Sequence, residues 1–383
     1  MATAARLRSA DMTPAEKVGR LHWPFVIAVV VVAIIGYGVL YSAAGGHHGP
    51  WAWRQAARFG FGLVAMLVVA LISIRFWFRM AYVIYGVALA GVLAVEIIGE
   101  INMGAQRWID LGFVQIQPSE VMKVALVLAL ARYFHGTYLE DVGRIRFLVM
   151  PLAMVGVPAV AVLRQPDLGT AVMLLAAGGA MFFLAGVRWW KFALVIGTTA
   201  AAVPVLWGRL HDYQRQRVLT FLNPEDDPLG SGYHIIQSKI ALGSGGVWGK
   251  GFLGGTQSQL SFLPEKQTDF AFTMLAEEAG LVGALILLGV FLLIVAYGVL
   301  FALRARSQFG RLLAMGVTVN FALYVVINVS MVTGLIPVVG IPLPLVSYGG
   351  TAMLTVLGGF GLLLGVDLHR EVTIARFPID GGD

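Results

Sequence analysis

The chain has 383 residues, 58% of them hydrophobic and only 13% charged, and its mean hydropathy is positive, so it carries more apolar surface than a soluble domain can hide. It has no cysteine, which excludes disulfides, Cys-ligated zinc, thiol nucleophiles and iron–sulfur clusters and leaves any chemistry to oxygen and nitrogen groups. The formal net charge of +6 does not point to nucleic acid, because the basic residues flank apolar runs and form no dense block.

Taken in order, apolar stretches near the length of a helical crossing predict ten spans, at 24–41, 59–74, 80–98, 121–134, 147–163, 168–187, 192–207, 270–301, 312–333 and 345–368. The fourth is short and carries Lys123, and the eighth is long enough to tilt or to project beyond the bilayer. The first run follows a polar leader and lacks a small-residue cleavage site, so it reads as an uncleaved first span. The fold class is an all-α polytopic integral membrane protein of about ten transmembrane helices, with a tail over 1–23, one membrane domain over 24–368 and a second tail over 369–383. Lys and Arg crowd one side of the alternating loops, whereas the short loops of the other side hold only Arg54, Arg58, Arg107 and Arg164. That bias puts both termini in the cytoplasm and makes 208–268, between spans seven and eight, a long extracytoplasmic loop.

A polar, glycine-rich loop of this length in a compact membrane protein marks a function or a partner. It starts with Arg209, His211, Arg215 and Arg217 and continues through an acidic turn over 223–228. Residues 233–242 predict a short amphipathic helix carrying Gln237 and Lys239, lying on or dipping into the outer interface. The glycines from Gly243 to Gly251 imitate a phosphate loop but fail it: Ser244 stands where the first Gly belongs, and Gly251 follows Lys250. They read as loop flexibility, with a backbone approach to a pyrophosphate as the alternative.

Charge at or within the bilayer is costly, so each such group asks for a reason. In Gln106-Arg107-Trp108-Ile109-Asp110, Trp108 is an interfacial anchor, and Arg107 either pairs with Asp110 or faces an anion such as phosphate. Glu120 and Lys123, three apart on one helix face, neutralise each other, as a structural ion pair or as the polar wall of a substrate cavity. Asp167, in Gln165-Pro166-Asp167-Leu168-Gly169-Thr170, stands where a helix N-terminus takes a cap. Asp269 opens the eighth span in the same manner. It also lies beside Lys266 and ahead of Glu277 and Glu278, where partial desolvation raises a carboxylate toward the working range of a general base.

Residues 334–351, uncharged and rich in Pro and Gly, read as a re-entrant or cavity-lining segment or as a stiff turn. The seven histidines show no i, i+4 zinc pairing. Gly361 and Gly365, at GxxxG spacing, point to close helix packing.

Several strings, in this order, carry a resemblance that covers the chain from first span to last: Gln106 through Gly112, Gln117-Pro118-Ser119-Glu120, Gln165 through Thr170, Gly254-Gly255-Thr256-Gln257-Ser258-Gln259-Leu260, Phe262-Leu263-Pro264-Glu265, Thr268-Asp269-Phe270 and Pro342 through Thr351. The chain resembles the SEDS (shape, elongation, division and sporulation) family. The Gly-Thr-Gln-Ser-Gln stretch, the Pro-Leu-Pro-Leu-Val-Ser-Tyr-Gly-Gly ending and the short tails resemble its rod-shape elongation branch, RodA, more than its division branch, FtsW.

The resemblance implies an inverting peptidoglycan glycosyltransferase that polymerises lipid II, an undecaprenyl-pyrophosphate-linked disaccharide peptide, at the outer face of the bacterial cytoplasmic membrane for elongation and rod shape. Asp269 matches the family's essential aspartate and becomes the base for the acceptor sugar's 4-hydroxyl; Arg107, Lys123, Lys239 and Lys266, in that order, are the candidate pyrophosphate contacts. Glu120 would hold Lys123, and Asp167 with Gln165 would line the cavity or share a divalent cation, Mg or Mn, with the pyrophosphate; no organic cofactor is implied. The implied partner is a class B penicillin-binding protein, for which the small-residue helix faces of the last spans offer a surface. Two positions depart from the pattern, Gln267 where His is usual and Ser261 where many members have an acid, and both alter the charge near Asp269. Two other classes of function, a flippase for a lipid-linked precursor and a non-catalytic scaffold for a synthase, differ from the enzyme in what loss of Asp269 would do.

Overall fold

The computed structural model describes residues 13–102, 105–110, 112, 115–208, 215, 219–220, 223, 231–259 and 265–375. The elements run α1 (Pro14–Gly19), α2 (Trp23–Ala43), α3 (Ala52–Leu71), α4 (Ile74–Ile98), β1 (Glu100–Asn102), β2 (Ala105–Asp110), β3 (Gln115–Ile116), α5 (Pro118–His135), α6 (Leu139–Val142), α7 (Ile145–Arg164), α8 (Leu168–Ala185) and α9 (Trp189–Trp207). Then follow α10 (Ser231–Ser244), α11 (Thr256–Gln259), α12 (Ala271–Arg304), α13 (Gln308–Val332) and α14 (Gly350–Leu368). Each apolar window read from the sequence falls mainly on one helix, although the last helix starts at Gly350 and leaves 345–349 outside it. Among the described residues eight helices are long and apolar enough to cross a membrane; α9 and α5, the latter carrying Glu120, Lys123 and Arg132, fall outside that set.

Helix ends follow local chemistry. Thr13 and Glu16 form a capping box on α1, Ser307 caps α13 through Gly310 N at 3.1 Å, and Gly186 closes α8 in the left-handed conformation. In the interior, α5 is buried along almost its whole length and packs against α4, α8 and α13. Outward-facing Phe61, Val64, Val87, Leu194, Ile196, Leu285 and Leu292 are exposed, as helices facing hydrocarbon require. α14 lies close along α3, where a Cβ on Gly361 would sit 2.6 Å from Met66 O and one on Gly62 2.5 Å from Leu357 Cδ1. The Gly361 and Gly365 face of the last span is therefore spent inside the molecule, against α3.

Several local expectations need correction. The outer segment before α5 is a three-stranded antiparallel sheet, β1-β2-β3, with Asn102 opposite Ala105 and Ile109 opposite Ile116. The predicted interfacial helix is α10, which turns Ile235, Ser238 and Ala241 inward at three-residue spacing; Ser238 Oγ meets Thr273 Oγ1 at 2.8 Å and donates to Val332 O at 2.7 Å. It is docked on α12 and α13. The eighth span is not one rod, because α12 breaks at Gly280 (φ 66°, ψ −167°). Arg215 closes the end of α9 by donating to Trp207 O at 3.0 Å and Gly208 O at 2.8 Å. Arg209, His211, Arg217 and the acidic 224–228 lie outside the described residues.

Residues 334–349 are irregular and pack inside, with Ile341, Leu343, Leu345, Val346 and Ser347 buried. Their backbone is met by protein: Asn328 Nδ2 donates to Ile341 O at 2.7 Å, Gln55 Nε2 to Ser347 O at 2.9 Å, and Leu343 N to Ser347 Oγ at 2.9 Å. Non-helical backbone at this depth is tolerated when it is satisfied in this way.

Candidate active site

Proline at N1 starts α5 after Gln117, and Glu120 lies in the first turn, where the helix dipole favours an anion. One turn on, Lys123 places Nζ 2.6 Å from Glu120 Oε1 and 4.2 Å from the ring centre of Tyr324. The Tyr324 hydroxyl donates to the other oxygen of Glu120. Glu120 and Lys123 are 4% and 1% exposed, so this is a charge pair sealed among protein groups. Such a pair is worth little as net stability, yet removing one member leaves an uncompensated buried charge.

Beside it, α8 begins at Asp167, whose Oδ1 accepts from Thr170 N at 3.1 Å and whose Oδ2 accepts from Thr170 Oγ1 at 2.9 Å and Gln117 Nε2 at 3.3 Å. The cap expected there is present, and Gln117 ties the starts of α5 and α8 together. Arg107, on β2, donates Nε to Gln165 O at 3.4 Å and a terminal nitrogen to Pro166 O, with Asp167 Oδ2 4.0 Å from Nε. The alternative pairing with Asp110 does not form. Asp110 instead closes its own turn, accepting from Gly112 N at 2.6 Å and Gln115 Nε2 at 3.4 Å.

Asp269 is not a cap. The residue before α12 is Phe270, with no side-chain capping bond, and among the described residues no hydrogen bond reaches the Asp269 carboxylate. Its backbone is held, since Asn328 Nδ2 donates to Asp269 O at 2.9 Å. Its carboxyl is pushed up to about 6, first by burial and then by the charge of Glu265, with Arg107 opposing. Arg107 and Asp269 thus lie within one another's field. Glu277 and Glu278, which follow Asp269 in the sequence, turn to Lys250 and Ser42. Gln267, the departure from the family pattern, donates to Glu265 Oε2 at 3.1 Å, as Thr268 Oγ1 does at 3.0 Å, so it fixes the carboxylate that acts on Asp269. Ser261 lies outside the described residues.

A family model described as cell cycle protein, covering FtsW, RodA and SpoVE, matches residues 20–372. The chain belongs to this family, the SEDS proteins. The peptidoglycan glycosyltransferase MrdB (RodA) of Escherichia coli strain K12 is 44% identical over 92% of this chain and 95% of that protein. A probable peptidoglycan glycosyltransferase FtsW of Trichlorobacter lovleyi is 36% identical over 94% and 96%. Among solved structures, a chain of a peptidoglycan synthase complex described for its coordination of polymerization and crosslinking superposes with TM-score 0.80 at 34% identity, over 92% of this chain and 98% of that one. The rod shape determining protein RodA of Thermus thermophilus gives 0.69 at 28% identity over the same shares. The likeness leans to the RodA branch of the SEDS family.

Within this SEDS fold the remaining candidates are spread out. Lys266 is partly buried, and burial lowers its ammonium against the opposing pull of Glu278. Lys239 is exposed on α10, its chain lying against Gly334, where a Cβ would meet Lys239 Cε at 2.3 Å. Gln165 turns inward and donates Nε2 to Val92 O at 2.7 Å. Among the described residues no three His, Asp or Glu side chains converge to hold a metal ion. Asp167 faces a guanidinium and already accepts from Thr170 and Gln117, so this donor set does not fit a protein-held divalent cation. Tyr324 and Asn328 were not visible as site residues in the sequence, and Gln117 stood out only as part of a family string. The only signal of the first two is a polar group inside an apolar run.

Proposed function

We propose that this chain is an inverting peptidoglycan glycosyltransferase that polymerises lipid II at the outer face of the bacterial cytoplasmic (inner) membrane, in the elongation branch of its family. The observation that carries the reading is Asp269: a partly buried carboxylate, free of hydrogen bonds among the described residues, raised to about 6 and lying in the field of Arg107.

In the step proposed, the acceptor sugar's 4-hydroxyl attacks the donor's anomeric carbon while an Asp269 oxygen takes the hydroxyl proton. The new glycosidic C–O bond forms as the bond to the lipid pyrophosphate breaks, and both bonding electrons leave with the pyrophosphate. Attack from the opposite face inverts the anomeric centre in one displacement, so no glycosyl-enzyme intermediate is required. Arg107 meets the charge that develops on the leaving group, for which a planar guanidinium is suited. Lys123 adds positive potential from behind Glu120, which holds it in place; Lys239 and Lys266 are assigned as further cations along the headgroup's path. Gln165 and Asp167 hold Arg107 in place, through Gln165 O and the Asp167 carboxylate. No step runs through a metal ion.

The excess of Lys and Arg in the loops facing away from Asp269 supports cytoplasmic termini and an outward-facing site. The partner assigned is a class B penicillin-binding protein, whose transpeptidase domain would cross-link the emerging strand; the likeness to a chain of a peptidoglycan synthase complex supports it. The deciding experiment measures glycan formation from labelled lipid II by the purified protein with its partner, wild type against Asp269→Asn at matched complex formation. The expected loss is at least about a hundredfold, the lower end of what a general base contributes. Equal polymer from both would remove Asp269 from the chemistry.

A further inference from the structure

The glycine-rich segment that failed as a phosphate loop has a different use. Breaking α12 at Gly280 strands the groups that a continuous helix pairs four residues apart, Leu281 N–H with Glu277 O and Val282 N–H with Glu278 O. In this fold the loop meets all four: Lys250 N donates to Glu277 O at 3.1 Å, Gly251 N to Glu278 O at 3.0 Å, Leu281 N to Gly246 O at 3.0 Å, and Val282 N to Val247 O at 3.1 Å. The loop is spliced into the helix ladder. The approach leaves no room for side chains, since a Cβ on Gly245 would lie 2.1 Å from Ala276 O, one on Gly249 2.1 Å from Glu278 O, and one on Gly280 2.3 Å from Gly249 N. The expectation of loop flexibility is thereby corrected: these glycines are contact points.

Side chains fasten the splice a second time. Glu277, fully buried, accepts from Lys250 Nζ at 2.8 Å, Gln257 N at 2.8 Å and Thr256 Oγ1 at 3.3 Å. Glu278 accepts from the Ser42 hydroxyl, on α2, and lies 3.5 Å from Gln259 Nε2. The half-helix that precedes the break is buried at Ala271, Phe272, Thr273, Met274 and Ala276, and Ser238 holds its flank at Thr273. At its other end Asn328 holds Asp269 O. It is a short rod clamped at both ends, with the catalytic carboxylate just beyond one tip and the splice at the other.

We propose that Lys250 is a positioning residue for Asp269: its ion pair with Glu277 locks the spliced loop, and the splice fixes the half-helix that carries the carboxylate. The proposal rests on the reading of Asp269 as the base and deepens it. Without Lys250 the buried Glu277 loses its cation, the loop loosens from the break, and the rod end is released. A base displaced by a fraction of an ångström to an ångström loses rate while substrate binding, made elsewhere, is kept.

The test uses the full chain purified with its cross-linking partner and lipid II as substrate. It compares wild type with Lys250→Met, Lys250→Arg and the double variant Lys250→Met with Glu277→Gln, reading kcat, KM and hydrogen exchange at the Leu281 and Val282 amides. For Lys250→Met, kcat should fall roughly ten- to a hundredfold with KM held within about twofold, and both amides should exchange faster. Lys250→Arg, which keeps the charge, should recover most of kcat, whereas the double variant, which removes the uncompensated charge but does not restore the lock, should recover only part of it.

Wild-type kcat in Lys250→Met despite faster exchange would overturn the proposal. So would a fall in kcat with protected amides, which would place Lys250 on the substrate. Should Lys250→Met not fold, Thr256→Val removes a weaker contact to Glu277 and should shift kcat and exchange in the same directions by less; no shift in kcat with faster exchange again overturns it. Asp269→Asn assayed alongside separates the two readings: full activity there sinks the base, while the exchange data still report on the splice.

Discussion

At the scale of single residues, the surroundings of Asp269 set the pH at which it can work. Burial and Glu265 raise its carboxyl to about 6, and Arg107 pulls the other way. A base acts only when ionised, so polymerisation should climb about tenfold per pH unit below the midpoint and level off above it. Glu265→Gln removes the like charge and moves the midpoint to lower pH. Arg107→Met removes the cation and moves it higher, beyond any loss in pyrophosphate contact. The pH profile of kcat/KM, which reports the free enzyme's groups, checks both signs, and a midpoint that ignores both substitutions would show that another group titrates. Of this site, Arg107, Glu120, Lys123 and Asp269 were legible in the sequence because ionised groups are conspicuous against apolar runs. Tyr324 was not: a tyrosine inside a long apolar helix reads as filling, and its partner Glu120 is 204 positions away. Likewise nothing in the order of residues shows that Gln267 reaches back to Glu265, although the two are neighbours.

At the scale of elements, the long apolar helices were readable because their hydrophobicity is continuous and the solvent they face is lipid. What stayed hidden were features defined by two segments at once. The break in α12 lies within a run that reads as one long span, since Gly280 alone gives no warning and the groups it strands are satisfied from a loop some thirty positions earlier. The glycines of that loop differ in what they are for, which yields a contrast. Gly246 has φ +54° with nothing within 4 Å of a Cβ, whereas Gly249 has φ +78° and its Cβ would meet Glu278 O at 2.1 Å. Gly246→Ala should therefore cost only the backbone strain, about 1 kcal/mol. Gly249→Ala adds a collision with a fixed backbone atom and should cost about 3 kcal/mol or more. Thermal unfolding of the two variants side by side checks this, and equal losses would mean the loop gives way freely. The β-strands before α5 were hidden for a related reason: β1 and β3 are too short to show alternation.

At the scale of the whole molecule, the proposed chemistry depends on which way the bundle sits. Below its break, α12 runs from 281 to 304, about 36 Å at the usual helical rise, enough to cross a hydrocarbon core of about 30 Å. Asp269 and the docked helix α10 therefore lie on one side of the membrane and the turn after α12 on the other. The proposed orientation puts that turn, where Arg304, Arg306 and Arg311 cluster, in the cytoplasm. The absence of cysteine makes the orientation directly measurable, because a single introduced thiol is the only one present. Ser244→Cys, exposed at the end of α10, should react with a membrane-impermeant maleimide in intact spheroplasts. Arg306→Cys, at an exposed position, should react only after the membrane is opened. The reverse pattern would turn Asp269 toward the cytoplasm, and a polymerase facing that way could not build strands outside the cell, whatever the pKa of its base.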